Sequence, residues 1–156
     1  MEILRAEKKD VKEILPMIQK EFAYAKMTPE KTLRRLRRKN FRIFKAVEAG
    51  KIIGFLELEK LDYNLARING LSVSPEHRKK GFGKQLAKFA VNYLEKKNIR
   101  RIIILVKQSN SEAKKLYAET GFKFMRLLEN KIENETIEEL ELNLHPEEDE
   151  TPSYIG

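Results

Sequence analysis

Leu71-Ser72-Val73-Ser74-Pro75-Glu76-His77-Arg78-Lys79-Lys80-Gly81-Phe82-Gly83-Lys84 is the stretch whose reading decides the fold. It leaves a strand at Pro75, passes through a basic turn holding two glycines, and enters a helix. The helix is marked by Leu86, Phe89, Ala90, Tyr93 and Leu94 at helical spacing. Gly81 and Gly83 let the main chain approach a ligand closely. The free N–H groups of the helix start point at that ligand, and the helix dipole adds about half a positive charge. Arg78, Lys79 and Lys80 deepen the same field, so the segment is expected to hold a phosphate. A glycine pair before a helix can also serve turn geometry alone, and a charge run can be a solvated face. The surrounding sequence therefore has to carry the assignment.

Upstream, Ile3-Leu4-Arg5 reads as a short first strand. Asp10 is expected to cap a helix running to about Tyr24, with Val11, Ile14, Leu15, Ile18 and Phe22 on one face. Thr28-Pro29-Glu30 is a helix start that leads into Leu33 and Leu36. Phe41 to Glu48, a turn at Ala49-Gly50, and Ile52 to Leu61 read as a hairpin, followed by a strand from Ala66 to Val73. Downstream, Ile102-Ile103-Ile104-Leu105-Val106 reads as a strand covered on both faces. Asn110 to Thr120 returns to helix and stops at Gly121. Phe122 to Leu128 and Ile137 to Leu144 close the chain as strands, the last alternating Leu140, Leu142 and Leu144 with Glu139, Glu141 and Asn143. The order β-α-α-β-β-β-α-β-α-β-β predicts an α/β chain with a mixed sheet and helices on both faces.

A chain of 156 residues, 41% of them hydrophobic, supports one core and one domain, assigned here to residues 1–144. Residues 145–156 form an acidic C-terminal tail, expected to lack regular structure of its own and to dock on the basic body or on a neighbouring subunit. Without cysteine there is no disulfide, thiolate metal site or cysteine nucleophile, and two distant histidines, His77 and His145, give no metal site. No apolar run approaches the roughly 20 residues needed to cross a bilayer, and the N-terminus lacks a signal-peptide pattern, so a cytoplasmic location is expected. Charged residues make up 36% of the chain, a thermophile-like composition. Setting aside Glu147, Glu148, Asp149 and Glu150 turns the net charge of +8 into +12 for residues 1–144. A body so basic favours anionic ligands.

Two motifs together resemble the GNAT superfamily of acetyl-CoA-dependent N-acetyltransferases. Arg78-Lys79-Lys80-Gly81-Phe82-Gly83 is similar to that family's Q/R-x-x-G-x-G/A pyrophosphate loop, with Val73-x-Pro75 at the family's strand end. Asn110-Ser111-x-Ala113-x-x-Leu116-Tyr117-x-x-x-Gly121-Phe122 is similar to its N-x-x-A-x-x-L/F-Y-x-x-x-G-F segment. The resemblance covers nearly the whole chain. It implies a mostly antiparallel sheet of about seven strands flanked by about four helices, acetyl-CoA as cosubstrate, no metal, and transfer of the acetyl group to a primary amine. By position, the backbone of Leu71, Ser72 and Val73 would bond the pantetheine arm as an added strand, aided by a bulge that splays the sheet. Arg78, Lys79, Lys80, Gly81, Phe82, Gly83 and Lys84 would wrap the pyrophosphate, Asn110 would hold the arm near its thiol end, and Ala113 would leave room. Tyr117 would protonate the departing thiolate. Leu71, Val73, Ala113 and Tyr117 also admit plain packing roles, and His77 is read as structural.

The chain departs from the family where a base is needed. Some relatives carry glutamate on the central strand, where this chain has Asn69; others carry one five residues before the motif asparagine, where it has Leu105. Glu57 or Glu59, of the same facing parity as Phe55, is the substitute, with Glu57 taken as the catalytic base. Proximity and oxyanion stabilisation around Val73 are the other route. The missing glutamates also fit a non-catalytic acyl-CoA-binding module. The basic run Lys31, Arg34, Arg35, Arg37, Arg38, Lys39, Arg42 and Lys45 could select an acidic peptide or protein as acceptor, or be a solvated face. Nucleic acid ranks last as a partner, because aromatic residues do not interleave with that run. The alternating last strand is expected to form an edge that pairs across a twofold into a homodimer.

Overall fold

The computed structural model describes residues 1–145; the tail from Pro146 to Gly156, including its expected docking, lies outside the described residues. Seven strands form one sheet: β1 (Glu2–Arg5), β2 (Phe41–Glu48), β3 (Lys51–Lys60), β4 (Leu65–Val73), β5 (Arg101–Lys107), β6 (Lys123–Leu127) and β7 (Ile137–Asn143). Their order is β1-β2-β3-β4-β5-β7-β6. Every pairing is antiparallel except β4 with β5. The helices are α1 (Val11–Glu21), α2 (Pro29–Arg37), α3 (Phe82–Lys96) and α4 (Ser111–Glu119).

Two cores flank the sheet. On one face, Ile14, Leu15 and Ile18 of α1 and Met27 pack on Ile43 and Phe55. On the other, Leu86, Ala87, Ala90 and Leu94 of α3 and Tyr117 of α4 pack on Leu56, Leu58, Ile68, Ile102 and Ile104. Each large apolar side chain fully removed from water here contributes on the order of 1.5–3 kcal/mol. The isoleucine-rich strand is divided between the faces. Ile102, Ile104 and Val106 are buried under α3 and α4, while Ile103 and Leu105 are half-buried on the side that no helix fully covers.

Local signals behave as their chemistry requires, with three corrections. Thr28 caps α2 through the Lys31 N–H at 3.2 Å, and Ala49 and Gly50, both with positive φ, turn the β2–β3 hairpin. Asp10 does not cap α1. It is buried, accepts the Glu7 N–H at 2.7 Å and pairs with Lys45 Nζ at 2.9 Å, tying the chain before α1 to β2. Helix α1 ends at Glu21 and not near Tyr24, since Phe22 leaves the helix and sets its ring edge-on to Phe55, 6.1 Å between centroids. Strand β7 is no edge: it lies between β5 and β6, with buried Glu138 and Glu141 paired to Lys114 at 2.9 Å and Arg101 at 2.5 Å. The edge beyond it is β6, where Phe124, Met125 and Leu127 are half exposed.

What positions the site is a defect in β4. Glu57 pairs with Gly70 and Leu58 with Ile68, so Asn69 is an extra residue with no register partner on β3. The parallel ladder to β5 begins at Leu65↔Arg101 and stops at Ile68↔Ile104. Past the bulge β4 twists away, and the sheet opens between residues 69–73 and the end of β5. On its other side this stretch stays tight against β3: a Cβ on Gly54 would lie 2.4 Å from the Ser72 carbonyl oxygen. Gly54→Ala is therefore expected to destabilise the fold by about 2–3 kcal/mol in denaturant unfolding, as overpacking against backbone does; a loss below about 0.5 kcal/mol would show that β3 and β4 can separate there.

Candidate functional site

Three chambers meet along the split between β4 and β5. The first, about 510 Å³, is walled by Leu71, Ser72 and Val73 of β4, the basic turn, and Asn110, Ala113 and Leu116 of α4. The second, about 210 Å³, shares Leu71, Asn110 and Ala113 with the first and adds Tyr117, Asn69, Tyr24 and Lys107. The third, about 270 Å³, shares Asn69, Tyr24 and Lys107 with the second and adds Arg35, Phe55, Glu57, Glu59 and Arg67. The shared walls make them one passage through the sheet.

Strain and ion pairs shape the basic turn. Lys79 has φ +62° and Gly81 φ +82°, and a Cβ on Gly81 would meet nothing within 4 Å. That open space and the left-handed backbone together leave the first N–H groups of α3 bare toward the chamber. Arg78 does not point freely into it. Its Nε donates to the Val73 carbonyl at 2.9 Å and its Nη2 to Glu21 Oε1 at 2.5 Å, so it braces the turn against β4 and the end of α1. Lys79, Phe82, Gly83 and Lys84 line the chamber with Gly81, whereas Lys80 is exposed and off its wall. His77 does line it, held by Ser74 Oγ at 3.0 Å.

Asn110 is the N-cap of α4, its Oδ1 accepting the Ala113 N–H at 3.1 Å, which leaves its amide nitrogen for a ligand. Tyr117, 3% exposed, lines the middle chamber and sets its ring edge-on to Phe122 at 5.5 Å. Burial pushes its phenol pKa well above the ordinary tyrosine range, so the hydroxyl keeps its proton throughout the neutral range.

The far chamber holds a polar cluster that motif matching did not reveal. Glu57, 4% exposed, accepts Arg35 Nη1 at 2.7 Å and Asn69 Nδ2 at 2.9 Å, both on Oε2. Glu59 accepts Arg67 Nη2 at 3.0 Å and Asn69 Nδ2 at 2.9 Å, both on Oε1. Asn69 thus bridges two carboxylates, and Glu57 Oε1 and Glu59 Oε2 make no bond among the described residues. Asn69 and Leu105, the two places where a family glutamate is missing, both line this chamber, and Glu57 reaches it from the neighbouring strand. Sequence reading also passed over Glu21, Tyr24 and Lys107. Lys107 sits 5.7 Å from the Tyr24 ring centroid and pairs with Glu133 and Glu135, each at 3.3 Å. Nothing local in the sequence links residues so far apart; only the β4–β5 split does.

The basic run splits up. Arg35 turns inward onto Glu57, Lys45 onto Asp10, and Arg42 onto the Lys39 and Phe41 carbonyls at 2.8 and 2.7 Å. Lys31, Arg34, Arg37, Arg38 and Lys39 remain exposed. Among the described residues no group of three or more metal-ligating side chains occurs, and no helix is long and apolar enough to cross a membrane.

The family model described as "Acetyltransferase (GNAT) family" matches residues 10–122. Among solved structures, the chain is similar to Ard1 from Thermoplasma volcanium, with 22% identity, coverage of 92% of this chain and 97% of that one, and a TM-score of 0.80. It is similar to a spermidine N-acetyltransferase chimera from Vibrio cholerae and hSSAT, with 22% identity, coverage of 96% and 99%, and a TM-score of 0.80. It is also similar to a GNAT family acetyltransferase from Elizabethkingia anophelis with acetyl-CoA bound, with 22% identity, coverage of 74% and 84%, and a TM-score of 0.65. At these identities the structural likeness establishes the fold alone. A search of curated proteins gave no match.

Burial of Tyr117 has a measurable sign. Alkaline absorbance titration of the protein against Tyr117→Phe is expected to place this phenolate well above pH ~10, the ordinary tyrosine value. Because the unfolded chain releases the proton first, the Tyr117 contribution to stability is complete below pH ~10 and is lost as pH climbs beyond it. A difference titration centred at the ordinary value would contradict the burial.

Proposed function

The chain belongs to the acetyltransferase (GNAT) family, and from that premise we propose that it moves the acetyl group of acetyl-CoA onto a primary amine of a peptide, protein or small-molecule acceptor by direct attack. The observation that carries this reading is the continuous passage from the basic turn, past Tyr117, to the Glu57–Asn69–Glu59 cluster. One opening serves an anionic nucleotide, the other an amine.

The residues present fit the cosubstrate. The unpaired side of β4 at Leu71, Ser72 and Val73 would receive the amide groups of the pantetheine arm, and the turn from Lys79 to Lys84 would take the pyrophosphate on bare N–H groups and lysines. Arg78 would act by bracing the turn and Lys80 through its field. Asn110 and Ala113 border the first and middle chambers, where the arm would pass. In the transfer, the amine nitrogen bonds the acetyl carbon as the carbon–sulfur bond breaks. Tyr117, protonated at neutral pH as any tyrosine is, hands its proton to the leaving sulfur as negative charge develops there. The proton the amine must lose passes to Glu57, whose Oε1 is unbonded, directly or through water. The Arg35 and Asn69 bonds hold that carboxylate in place, which substitutes for the family glutamate absent at Asn69 and Leu105.

The exposed cations of α2 support an acidic peptide or protein acceptor by steering, since Arg35 itself is neutralised by Glu57. Absence of both family glutamates favours a second reading, a binding module that holds acetyl-CoA without turnover. Thiol release from acetyl-CoA against a panel of peptide, polyamine and amino-sugar acceptors separates the two. Turnover on one class is expected, with Tyr117→Phe lowering kcat roughly 100-fold and Glu57→Gln at least tenfold. Tight acetyl-CoA binding with no turnover on any acceptor would establish the module instead.

A further inference from the structure

A fourth cavity, about 190 Å³, opens at the C-terminal end of α3, lined by Lys39, Asn40, Arg42, Leu58, Lys60, Tyr93, Leu94, Lys97 and Ile99. Helix α3 has 15 residues, so about 22 Å separates this cavity from the glycine turn at the other end. Leu58, Tyr93 and Leu94 belong to the core on the α3 face, whereas Phe55 beside the far chamber belongs to the α1 core. The cavity is thus distinct from both mouths of the passage.

Its charge is of one sign. Four cations, Lys39, Arg42, Lys60 and Lys97, surround it, and among the described residues no carboxylate lines it. Around the far and middle chambers the cations are matched, Arg35 with Glu57, Arg67 with Glu59 and Lys107 with Glu133 and Glu135, whereas Lys79 and Lys115, which line the first chamber beside the glycine turn, have no ion-pair partner among the described residues. The four around the fourth cavity likewise have no ion-pair partner among the described residues. The α3 C-terminus favours Lys97, which stands 5.6 Å from the Tyr93 ring centroid, but it does not account for Arg42 and Lys60 on the strands beside it or Lys39 in the turn before β2. Arg42 is fixed in advance. Its Nη1 donates to the Lys39 and Phe41 carbonyls, so its charge is held half-buried by neutral groups while its other N–H groups make no bond among the described residues. Asn40 is anchored through its carbonyl, which accepts the Lys60 N–H at 2.7 Å. A preset guanidinium fork, three lysines and an amide around a space of this size match a compact dianion.

We propose that this cavity is a second anion site, which takes the phosphate group of a phosphorylated ligand independently of acetyl-CoA. The test uses the full chain saturated with acetyl-CoA, so that the glycine turn is occupied, and follows backbone amide resonances during titration with inorganic phosphate. The expected result is saturable shifts at Lys39, Asn40, Lys97 and Ile99 with a millimolar or tighter dissociation constant. The Arg42→Gln/Lys97→Gln protein should bind phosphate at least tenfold more weakly and keep its acetyl-CoA affinity within twofold. Lys60→Gln, at an exposed position, supplies the same comparison if the double variant fails to fold, with an expected loss of about threefold. Two further arms locate the source of the phosphate. A phosphomonoester matching inorganic phosphate assigns the site to small phosphorylated molecules; a single-stranded oligonucleotide binding at least tenfold tighter assigns it to a polymer backbone. Shifts confined to Gly81–Lys84, binding unchanged in the variants, or a glutamate-rich peptide binding as tightly as phosphate would overturn the proposal.

Discussion

The extra residue in β4 is the constraint on which the rest of the molecule hangs. Ile68 is the last residue paired with β5, and Asn69, next in sequence, has no register partner on β3. A regular strand would keep the parallel ladder zipped, and the sheet would be closed from Leu65 to Val73. The bulge instead turns the outer half of β4 away from β5. One side of that segment stays paired to β3, tightly enough that position 54 has no space for a Cβ, and the other is left unpaired. Unpaired strand backbone inside a fold needs a partner, and the passage along it provides space for an extended ligand.

The same defect assembles the charges. Asn69, displaced by the bulge, donates to both Glu57 and Glu59, and each carboxylate takes its arginine on the oxygen it already shares with Asn69. A carboxylate buried as deeply as Glu57 needs such partners, because a buried polar group without hydrogen bonds is costly. The cluster thus gives each carboxylate an arginine and a shared amide on one oxygen and leaves the other oxygen unbonded among the described residues. At the other mouth, Arg78 trades a free charge for a brace, giving the turn its shape and leaving attraction to the lysines and the bare helix N–H groups.

Much of this was legible in the sequence, because the decisive signals are local. The succession of strands and helices along the chain, the Thr28 cap, the Ala49-Gly50 turn and the glycine turn before α3 each depend on residues a few positions apart. Asn110 and Tyr117 were placed by a motif of fixed spacing and do line the passage. The misreadings share another cause. Asp10 has the chemistry of a helix cap, but Lys45, 35 residues away, provides a partner only once β2 is in place. Alternation in β7 resembles an edge strand because its glutamates look solvated; Arg101 and Lys114 bury two of them. The basic run from Lys31 to Lys45 reads as one face, whereas a helix followed by a strand sends its members to different sides of the sheet. Glu57 was found by strand parity, but its arginine and asparagine partners needed the bulge, which no single residue announces.

The central claim is that the outer half of β4 is an unpaired edge waiting for the extended arm of acetyl-CoA. Hydrogen exchange of the backbone amides, with and without acetyl-CoA, tests it most directly. The account predicts new protection at residues 69–73 together with the start of α3 at Gly81–Lys84, and little change in β1, β2 or β6. Protection absent from residues 69–73, or a response confined to the glycine turn, would mean that β4 does not receive the ligand and that the split has another purpose.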